Sequence, residues 1–429
     1  MTIEEAQELL TDRIRPITDT EYVSIADADG RVAAEDIYAV IDVPSWPRSA
    51  MDGYAVRSDE VKEASEDAPA ILRVIGEIDA GDYWSEEETK AHIKQAAESY
   101  LENPGMDKAD SAGGADGGDT SLTAVRIMTG GAVPPGFDAV IRQEDTDYGE
   151  TFVSIYKGQS EGMNICPVGE ECSSGTCVAG MGTLIGRVEL GLMASVGVSG
   201  INVIRRPRIA ILTTGSELDT PGEELKPGHI YGSISYMLAS SVRKAGFDIV
   251  IGSHVADDHE AIKRELLTAA ETADLVITTG GVSVGKKDLL HGVLDEIGAE
   301  KLFYNVDIQP GTPTIAAILN DKPVLSLSGN PYAALANFDI YFHTAAAALT
   351  GCAVFLPRVT EAVLDDPYDK VNHHRRLIRA FSQDGHVKLN VSNHKSSVFG
   401  NMNQCNCYID IPGGVSVSPG DVVKIRMIE

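Results

Sequence analysis

Between residues 208 and 349, short apolar segments alternate with longer segments whose apolar residues recur at helical spacing. The apolar segments, such as residues 208–212 and 274–278, lack the polar alternation of a strand that is half exposed. Strands without this alternation are buried on both faces, and their alternation with helices is typical of a parallel sheet covered on both sides. The pattern therefore predicts a doubly wound α/β domain.

The loops that follow the predicted strands are expected to meet at one edge of the sheet. They are residues 213–217, 256–258, 280–288 and 328–331. In a doubly wound sheet, ligands bind beyond the carboxyl ends of the strands. Because these loops are rich in small residues and carboxylates, we predict a single ligand site built from all of them.

The third of these loops carries Gly280, Gly281, Ser283 and Gly285. Glycines let backbone N–H groups approach an anion closely, and the serine adds a hydroxyl donor. A helix that begins at Asp288 would direct the positive end of its dipole to the same place. We predict that the loop binds a phosphorylated small molecule, and the alternative is a plain strand-to-helix turn.

Three carboxylates, Glu217, Asp257 and Asp288, follow three different strands. Carboxylates beside a phosphate are unfavourable alone, but Mg²⁺ binds one or two carboxylates together with phosphate oxygens. The formal charge of −29 repels anionic substrates, so a phosphate site needs local donors or a cation. We predict a Mg²⁺ site at these residues, and the alternative is that the aspartates cap helices.

The same charge argues against nucleic acid as a partner, since no long basic run opposes it. The N-terminus has no signal-peptide pattern, and the apolar stretch at residues 341–356 is interrupted and too short to span a bilayer. We expect a cytoplasmic protein without a membrane segment.

The six cysteines include no C-x-x-C pair, which favours reduced thiols over a zinc site.

β-rich patterning flanks the α/β region, so a chain of 429 residues is predicted to be multidomain, α/β plus β. The β-rich patterning covers residues 22–74, 124–203 and 359–429. The last of these ranges contains a basic cluster at residues 373–379, which is either an anion clamp or a solvated strand edge. Residues 85–122 begin as an acidic, helix-compatible segment and continue almost without apolar residues. Such a segment cannot offset its ordering entropy, which predicts a mobile insertion.

Residues 281–285 also match G-x-S-x-G, the nucleophile elbow of α/β-hydrolases. In that elbow the helix begins directly after the serine, whereas Lys286 and Lys287 intervene here. The base would be a distant histidine such as His394. A serine hydrolase using Ser283 is therefore an alternative from a different class of enzyme.

Several motifs, in this order, resemble those of the molybdopterin molybdenumtransferase family, which includes the C-terminal domain of gephyrin. They are residues 49–55, 126–130 with Pro134, 214–218, 280–288, 310–313 and 327–331. The resemblance covers nearly the whole chain except residues 85–122. It implies a Mg²⁺-dependent transferase that converts adenylylated molybdopterin and molybdate into the molybdenum cofactor and AMP.

The resemblance also implies a homodimer whose subunits have four domains. These would be a molybdopterin-binding α/β domain (residues 1–19 and 204–356), a β-rich linker domain (20–38 and 176–203), an inserted β-rich domain (39–175) and a C-terminal β-barrel (357–429). Catalytic roles would fall on Asp52, Thr129, Asp257 and Asp288, and metal ligation on Glu217, Asp257 and Asp288. Pterin binding would involve Thr214, Gly215, Glu217, Gly280, Gly281, Ser283, Gly285, Pro310, Gly329, Asn330, Pro331, Arg379 and Ser397.

The chain departs from the family at some of these segments. Asn305, Gln309 and Thr312 stand where many members carry lysines, which molybdate or the phosphate of the pterin would favour. Further departures are Glu171, Gly232 and Ile234. These differences motivate a further alternative, a pterin-binding or scaffolding paralogue without turnover.

Overall fold

A computed structural model of the chain describes residues 1–102, 122–281, 289–368, 370–389 and 394–428. The α-helices in these ranges are α1 (Ile3–Arg13), α2 (Ser58–Val61), α3 (Glu86–Glu102), α4 (Arg187–Ser195), α5 (Ile234–Lys244), α6 (His259–Thr272), α7 (Leu289–Glu296) and α8 (Pro331–Thr350). Short 3-10 helices lie at Ile25–Asp27, Gln143–Asp145, Ala353–Phe355 and Gly400–Gln404. Within the described residues, no helix is both long enough and apolar enough to cross a membrane.

The strands fall into three groups along the chain. The first group is β1 (Thr20–Ser24), β2 (Ile37–Tyr38), β3 (Arg48–Ser49), β4 (Gly53–Val56), β5 (Ala70–Ile78), β6 (Thr123–Ile127), β7 (Ala139–Arg142), β8 (Phe152–Ile155), β9 (Ile165–Cys166), β10 (Cys177–Ala179) and β11 (Gly200–Ile204). The second is β12 (Arg208–Thr214), β13 (Leu218–Asp219), β14 (Ile230–Tyr231), β15 (Asp248–Val255), β16 (Leu275–Thr279), β17 (Glu300–Tyr304), β18 (Ile308–Gln309), β19 (Ile315–Leu319) and β20 (Lys322–Leu327). The third is β21 (Val359–Leu364), β22 (Arg375–Gln383), β23 (His386–Lys388), β24 (Cys407–Ile411) and β25 (Val422–Met427).

The described chain forms two compact units. The larger unit consists of residues 1–36, 180–188 and 200–429, and the smaller unit of residues 37–179 and 189–199. The larger unit contains a mixed sheet with helices on both faces and a separate barrel, and the smaller unit is built around a β-sheet.

The sheet of the larger unit has the strand order β15-β12-β16-β20-β19-β17. The first four strands are parallel, as predicted, but β19 pairs antiparallel with β20, and β17 pairs antiparallel with β19, so the prediction of a parallel sheet is wrong at this edge. The reason lies in the connection between β19 and β20. Asn320 and Asp321 both have positive φ, 50° and 63°, which is the geometry of a two-residue hairpin turn and permits only antiparallel pairing.

The central strands bury side chains on both faces of this sheet. On β12, Ile209 and Ile211 pack in the core beneath α1, α5 and α8, while Ala210 and Leu212 pack in the core beneath α6 and α7. Alternate residues of a strand point to opposite faces, so an uninterrupted apolar strand needs cover on both. The prediction of a doubly wound α/β domain is confirmed.

The C-terminal strands close into a barrel, as predicted. The order β22-β23-β21-β25-β24 returns to β22 through the antiparallel β22–β24 pair. The barrel is attached to the sheet domain by β18, which pairs in parallel with β22 so that Gln309 lies opposite Arg376. A second link is the buried hydroxyl of Tyr408, which donates to Asp339 of α8 at 2.8 Å.

The smaller unit has a five-stranded sheet in the order β7-β4-β6-β5-β8. Helix α3 begins the segment predicted as an acidic insertion, and the Arg73 guanidinium on β5 donates to the carbonyl of Ala96 in this helix at 2.8 Å. The predicted helical start of the segment is therefore confirmed. The remainder, residues 103–121, lies outside the described residues.

Helix α4, which was not predicted, lies within residues 124–203, a region that is otherwise β-rich as expected. Apolar residues alternate with others at residues 188–192, as they would in a strand. The helix nevertheless buries Met193 fully. Its Leu192, with Val196 just after the helix, packs in a small core that contains Ala39 and Cys172. Tertiary packing has overridden a short alternating pattern.

Candidate active site

A cavity of about 440 Å³, here called the strand-end cavity, opens at the carboxyl ends of β12, β16 and β20. It lies where the sequence placed the ligand site. The predicted site residues that line it are Thr214, Gly215, Glu217, Asp257, Gly280, Gly281, Gly329 and Pro331. The predicted residues Ser283, Gly285 and Asp288 lie outside the described residues.

The loops around this cavity are tied together by Asp257. Its Oδ2 accepts a hydrogen bond from the backbone N–H of Ser216 at 2.8 Å, which joins the loop after β15 to the loop after β12. The neighbouring Asp258 is the residue that caps α6, since its Oδ1 accepts from the N–H of Ala261 at 2.9 Å. The helix-cap explanation therefore fits Asp258 and not Asp257.

Glycine is required at residue 280, where the ends of β12 and β16 approach each other. Gly280 has φ +86°, and a Cβ there would lie 2.5 Å from the carbonyl oxygen of Thr214. A Cβ at Gly329 would lie 3.4 Å from the Cα of Gly280. The backbones of three loops are thus in close contact, which brings their N–H groups within reach of one small ligand.

The strand-end cavity also carries negative charge from Glu217 and Asp257. A Cβ at Gly215 would lie 2.9 Å from Oε1 of Glu217, so this glycine makes room for the carboxylate. Among the described residues, no cluster of three or more His, Cys, Asp or Glu side chains could hold a metal ion by itself. Any cation here would take the rest of its ligands from a substrate or from solvent.

One carboxylate that supports the cavity was not predicted. Asp219 is buried, and its oxygens accept from the backbone N–H of Lys226 at 2.9 Å and from the Lys226 ammonium at 3.2 Å, with Nδ1 of His229 at 3.1 Å. The backbone hydrogen bond from Lys226 is the main cause that lowers the pKa of Asp219. The hydrogen bonds of Asp219 hold the segment between β13 and β14 in place. Leu218 of β13 and Tyr231 of β14 line the strand-end cavity. The turn sequence Asp219-Thr220-Pro221-Gly222 is the signal from which the structural role of this carboxylate could have been predicted.

A second cavity of about 660 Å³, here called the barrel cavity, lies between residues 309–313, the start of α8 and the barrel. The predicted residues Pro310 and Asn330 line it. Pro313 and Ser328 line both this cavity and the strand-end cavity, so the two adjoin.

The predicted ligand Arg379 lines neither cavity. It is fully buried, with its guanidinium 4.1 Å from the ring centroid of Tyr332. It donates to the carbonyl of Lys395 at 2.7 Å, to the Asn401 side chain at 2.8 Å and to the carbonyl of Val398. Arg379 therefore fixes the loop that carries Ser397, which is itself exposed.

In the smaller unit the structure brings Asp52 and Thr129 together. Both the backbone N–H and the hydroxyl of Thr129 donate to Oδ1 of Asp52, each at 2.8 Å. The pairing of Gly53 with Ile127 on β4 and β6 places the two residues side by side. The N–H of Thr129, and then its hydroxyl, lower the pKa of Asp52, so this carboxyl is ionised at neutral pH.

Three family models match successive parts of the chain. "MoeA N-terminal region (domain I and II)" matches residues 1–197, "Probable molybdopterin binding domain" residues 210–347, and "MoeA C-terminal region (domain IV)" residues 361–427. The second model contains all the described loops of the strand-end cavity.

Curated relatives agree with these matches over nearly the full length. Proteins named molybdopterin molybdenumtransferase from Staphylococcus epidermidis and Bacillus subtilis are both 31% identical to the chain, over 411 and 418 residues. The alignments cover 95% and 96% of this chain and 91% and 90% of those proteins. The chain belongs to the molybdopterin molybdenumtransferase family.

A solved structure of the molybdopterin biosynthesis moeA protein from Pyrococcus horikoshii OT3 is similar to this chain with a TM-score of 0.80. The two are 27% identical, and the match covers 100% of this chain and 99% of that one. The predicted family and fold class are confirmed.

Proposed function

We propose that this chain inserts molybdate into adenylylated molybdopterin and releases AMP, which makes it a transferase of molybdenum cofactor biosynthesis. The observation that carries the proposal is the strand-end cavity, where glycine backbones and two carboxylates meet inside the matched molybdopterin domain. A phosphorylated ligand needs close N–H donors, and a negatively charged chain needs a cation beside it.

The strand-end cavity holds the phosphates of the pterin substrate in this proposal. Gly280, Gly281 and Gly329 let the backbone approach the phosphate oxygens without steric hindrance from a Cβ. The hydroxyl of Thr214 lies beside Gly280, where a Cβ would be 2.7 Å from Oγ1, and donates to the carbonyl of Thr279 at 3.4 Å, which helps to hold the ends of β12 and β16 together. These residues bind and orient the substrate.

Glu217 and Asp257 suit Mg²⁺, because this ion at phosphate sites takes one or two carboxylates together with phosphate oxygens. We propose that they hold it together with Asp288. When bound, Mg²⁺ would offset the phosphate charge and polarise the phosphoanhydride. Asp257 also orients the loop after β12 through its bond to Ser216.

Asp52 and Thr129 are proposed as further catalytic residues. Thr129 holds one oxygen of an ionised carboxylate through two donors, which fixes the direction of the carboxylate. A fixed, charged carboxylate is suited to bind a cation or to accept a proton. Replacing Thr129 with valine removes one donor and keeps the backbone bond, so AMP release should fall less than it does in Asp52→Asn.

The homodimer is a further proposal that rests on the family resemblance, and light scattering on the purified chain would measure it. The cytoplasmic location stays a prediction. The comparisons give no support to a serine hydrolase or to a non-catalytic paralogue. Failure of a fluorophosphonate probe to label Ser283 would remove the hydrolase.

The decisive experiment incubates the purified chain with adenylylated molybdopterin, with and without molybdate, and measures AMP by chromatography. We expect AMP release that depends on molybdate, and a loss of about a hundredfold in Glu217→Gln, since a metal ligand contributes several kcal/mol. Glu224→Gln, an exposed carboxylate outside the cavity, is the matched control. Pterin binding without AMP release in the unaltered chain would contradict the proposal and favour the paralogue.

A further inference from the structure

Two aromatic side chains of the smaller unit contact each other at the surface. The ring centroids of Trp46 and Tyr83 are 5.7 Å apart, the ring planes meet at 53°, and each residue is 51% exposed. We call this pair the aromatic surface. Single exposed aromatic residues are common, but two large rings in contact present apolar faces to water that a planar ligand would cover.

The aromatic surface lies at one end of a short backbone ribbon whose other end is the Asp52–Thr129 pair. Residues 47–52 run beside residues 129–133. The hydrogen bonds between them run from Gly130 to the carbonyl of Ser49 at 2.8 Å, from Ser49 to the carbonyl of Gly131 at 2.9 Å and from Val133 to the carbonyl of Pro47 at 2.8 Å. A segment as long as residues 129–133 spans at most about 14 Å. Because Trp46 directly precedes this ribbon, it is held close to the proposed catalytic carboxylate.

Tyr83 is held against Trp46 by the residue that follows it. The ring of Trp84 stacks on His92 of α3, with centroids 4.0 Å apart and planes at 4°. The same ring lies against Gly76 of β5, where a Cβ would be 2.6 Å from Cη2 of the indole. Helix α3 therefore anchors the chain directly after Tyr83, which fixes the position of the exposed ring.

Carboxylates lie at both ends of the aromatic surface and its ribbon. Asp82 directly precedes Tyr83 and is exposed, and its Oδ2 accepts from the backbone N–H of Asp79 at 3.2 Å. Asp52 at the other end is also exposed, and both donors of Thr129 bind its Oδ1. Negative charge at these positions repels phosphate and other anions, so the ligand that suits the surface is a neutral ring with N–H donors.

The arrangement of donors favours a pterin ring over adenine. A pterin carries an amino group next to a ring N–H, and two adjacent donors match the two oxygens of a carboxylate. Adenine carries its amino group between acceptor nitrogens, so a carboxylate can accept only one hydrogen bond there. Both rings can stack on an aromatic side chain, and the carboxylates therefore decide between them.

We propose that the aromatic surface binds the pterin ring of the substrate by stacking, with Trp46 as the main contact and Tyr83 as the second. The inference rests on the proposed function, in which the substrate is adenylylated molybdopterin. Tyr83 is held by α3, which belongs to the segment of residues 85–122 that the family resemblance does not cover. The start of this insertion thus presents one of the two rings to the substrate.

The test titrates the full chain by calorimetry, without molybdate, with adenylylated molybdopterin and separately with AMP. Trp46→Leu should weaken the affinity for adenylylated molybdopterin by about fivefold or more, because stacking of a base on an aromatic side chain contributes at least that much. Its affinity for AMP should stay the same. Trp46→Phe keeps a ring and should recover most of the loss. Tyr148→Leu, which alters another exposed tyrosine of the smaller unit, is the matched control and should change neither affinity.

Two further variants test how the second ring is presented. Tyr83→Leu should weaken the affinity for adenylylated molybdopterin by about threefold, less than Trp46→Leu, because one ring of the pair remains. Trp84→Ala removes the stack on His92 and should cause a similar loss, since it releases Tyr83 from α3. Thermal unfolding of each variant shows whether the fold is intact. In the AMP-release assay, Trp46→Leu should raise the KM for adenylylated molybdopterin more than it lowers kcat, because stacking strengthens binding of substrate and transition state alike.

Unchanged affinity for adenylylated molybdopterin in folded Trp46→Leu overturns the inference, even if AMP release in the unaltered chain confirms the proposed function. A loss of affinity for AMP would show that the surface binds adenine, and it also overturns the inference. So does a change in oligomeric state by light scattering with unchanged pterin affinity, since a second copy would then cover the rings. A Trp46-dependent pterin affinity in a chain that releases no AMP supports the aromatic surface and contradicts the transferase.

Discussion

The carboxylate of Asp257 accepts a hydrogen bond from the backbone N–H of Ser216 at 2.8 Å, and so links two loops that are distant in sequence. Asp257 therefore has two separable properties at the strand-end cavity, its charge and this link. An asparagine keeps an oxygen that can accept from Ser216 and removes only the charge.

Both Asp257→Asn and Asp257→Ala should bind adenylylated molybdopterin and lose AMP release by about a hundredfold or more, because the missing charge is what a cation at the phosphates requires. AMP chromatography and pterin titration measure the two effects. Asp258→Ala removes only the cap of α6, so it should lower the free energy of unfolding by about 1 kcal/mol and keep AMP release. Normal AMP release in Asp257→Asn would exclude the charge as the essential property.

Gly280→Ala should weaken pterin binding by at least about tenfold and lower the free energy of unfolding by about 1–3 kcal/mol, because φ is +86° and the Cβ would lie 2.5 Å from Thr214. Gly292→Ala is the matched control, since a Cβ there meets no atom within 4 Å. Within α7 that change should stabilise the chain by about 0.5–1 kcal/mol and leave pterin affinity unchanged. Equal pterin affinities of the two variants would show that the approach of the loops does not matter for binding.

Asn337 is fully buried in α8, and its Nδ2 donates to the carbonyl of Gly311 at 2.9 Å, in the loop that lines the barrel cavity. Asn337→Ala should cost about 1–3 kcal/mol of stability. It should also raise the KM for adenylylated molybdopterin more than it lowers kcat, because Pro313 of this loop lines the strand-end cavity. Thr344→Val removes two hydrogen bonds of α8 away from this loop, the one that Thr344 donates to Ile340 and the one that it accepts from Gln7. It should destabilise the chain with KM unchanged. If both variants raise KM equally, Asn337 acts on stability alone.

Glu4 lies in the first turn of α1, where Arg375 of the barrel strand β22 donates to it at 2.6 Å and 2.8 Å. This hydrogen bonding lowers the pKa of Glu4 from 4.5 to about 2. Because the folded value is the lower one, the stabilisation is complete above pH 4.5 and is lost as pH falls through about 2. Half of the side chain is exposed, so solvent reduces the effect.

The advantage in stability of the unaltered chain over Glu4→Gln should therefore shrink as pH falls from 4.5 to about 2, as followed by urea midpoints. Glu8→Gln changes an exposed carboxylate on the same helix and should leave the pH dependence as it is. Parallel pH curves for the unaltered chain and Glu4→Gln would contradict the assignment.

The sequence by itself determined the parallel strands of the α/β domain, the helices that cover them and the edge of the sheet at which the strand-end cavity opens. Uninterrupted apolar strands such as β12 and β16 have to be covered on both faces, whatever the rest of the chain does. Local signals also set the starts of two helices, where Asp258 and Asn330 cap α6 and α8. The carboxyl ends of parallel strands share one edge, so the loops of the strand-end cavity could be named in advance.

Only the tertiary structure decided which charged side chains face the cavities. Arg376 and Arg379 lie three residues apart on β22, so they point to opposite sides of the strand. Only the pairing of β22 with β18 and β24 shows which of the two arginines faces the barrel cavity and which one is buried. Arg376 faces Gln309 and the barrel cavity, whereas Arg379 is buried against Tyr332. The link from Asp257 to Ser216 depends in the same way on contacts between distant segments, which a local pattern does not encode.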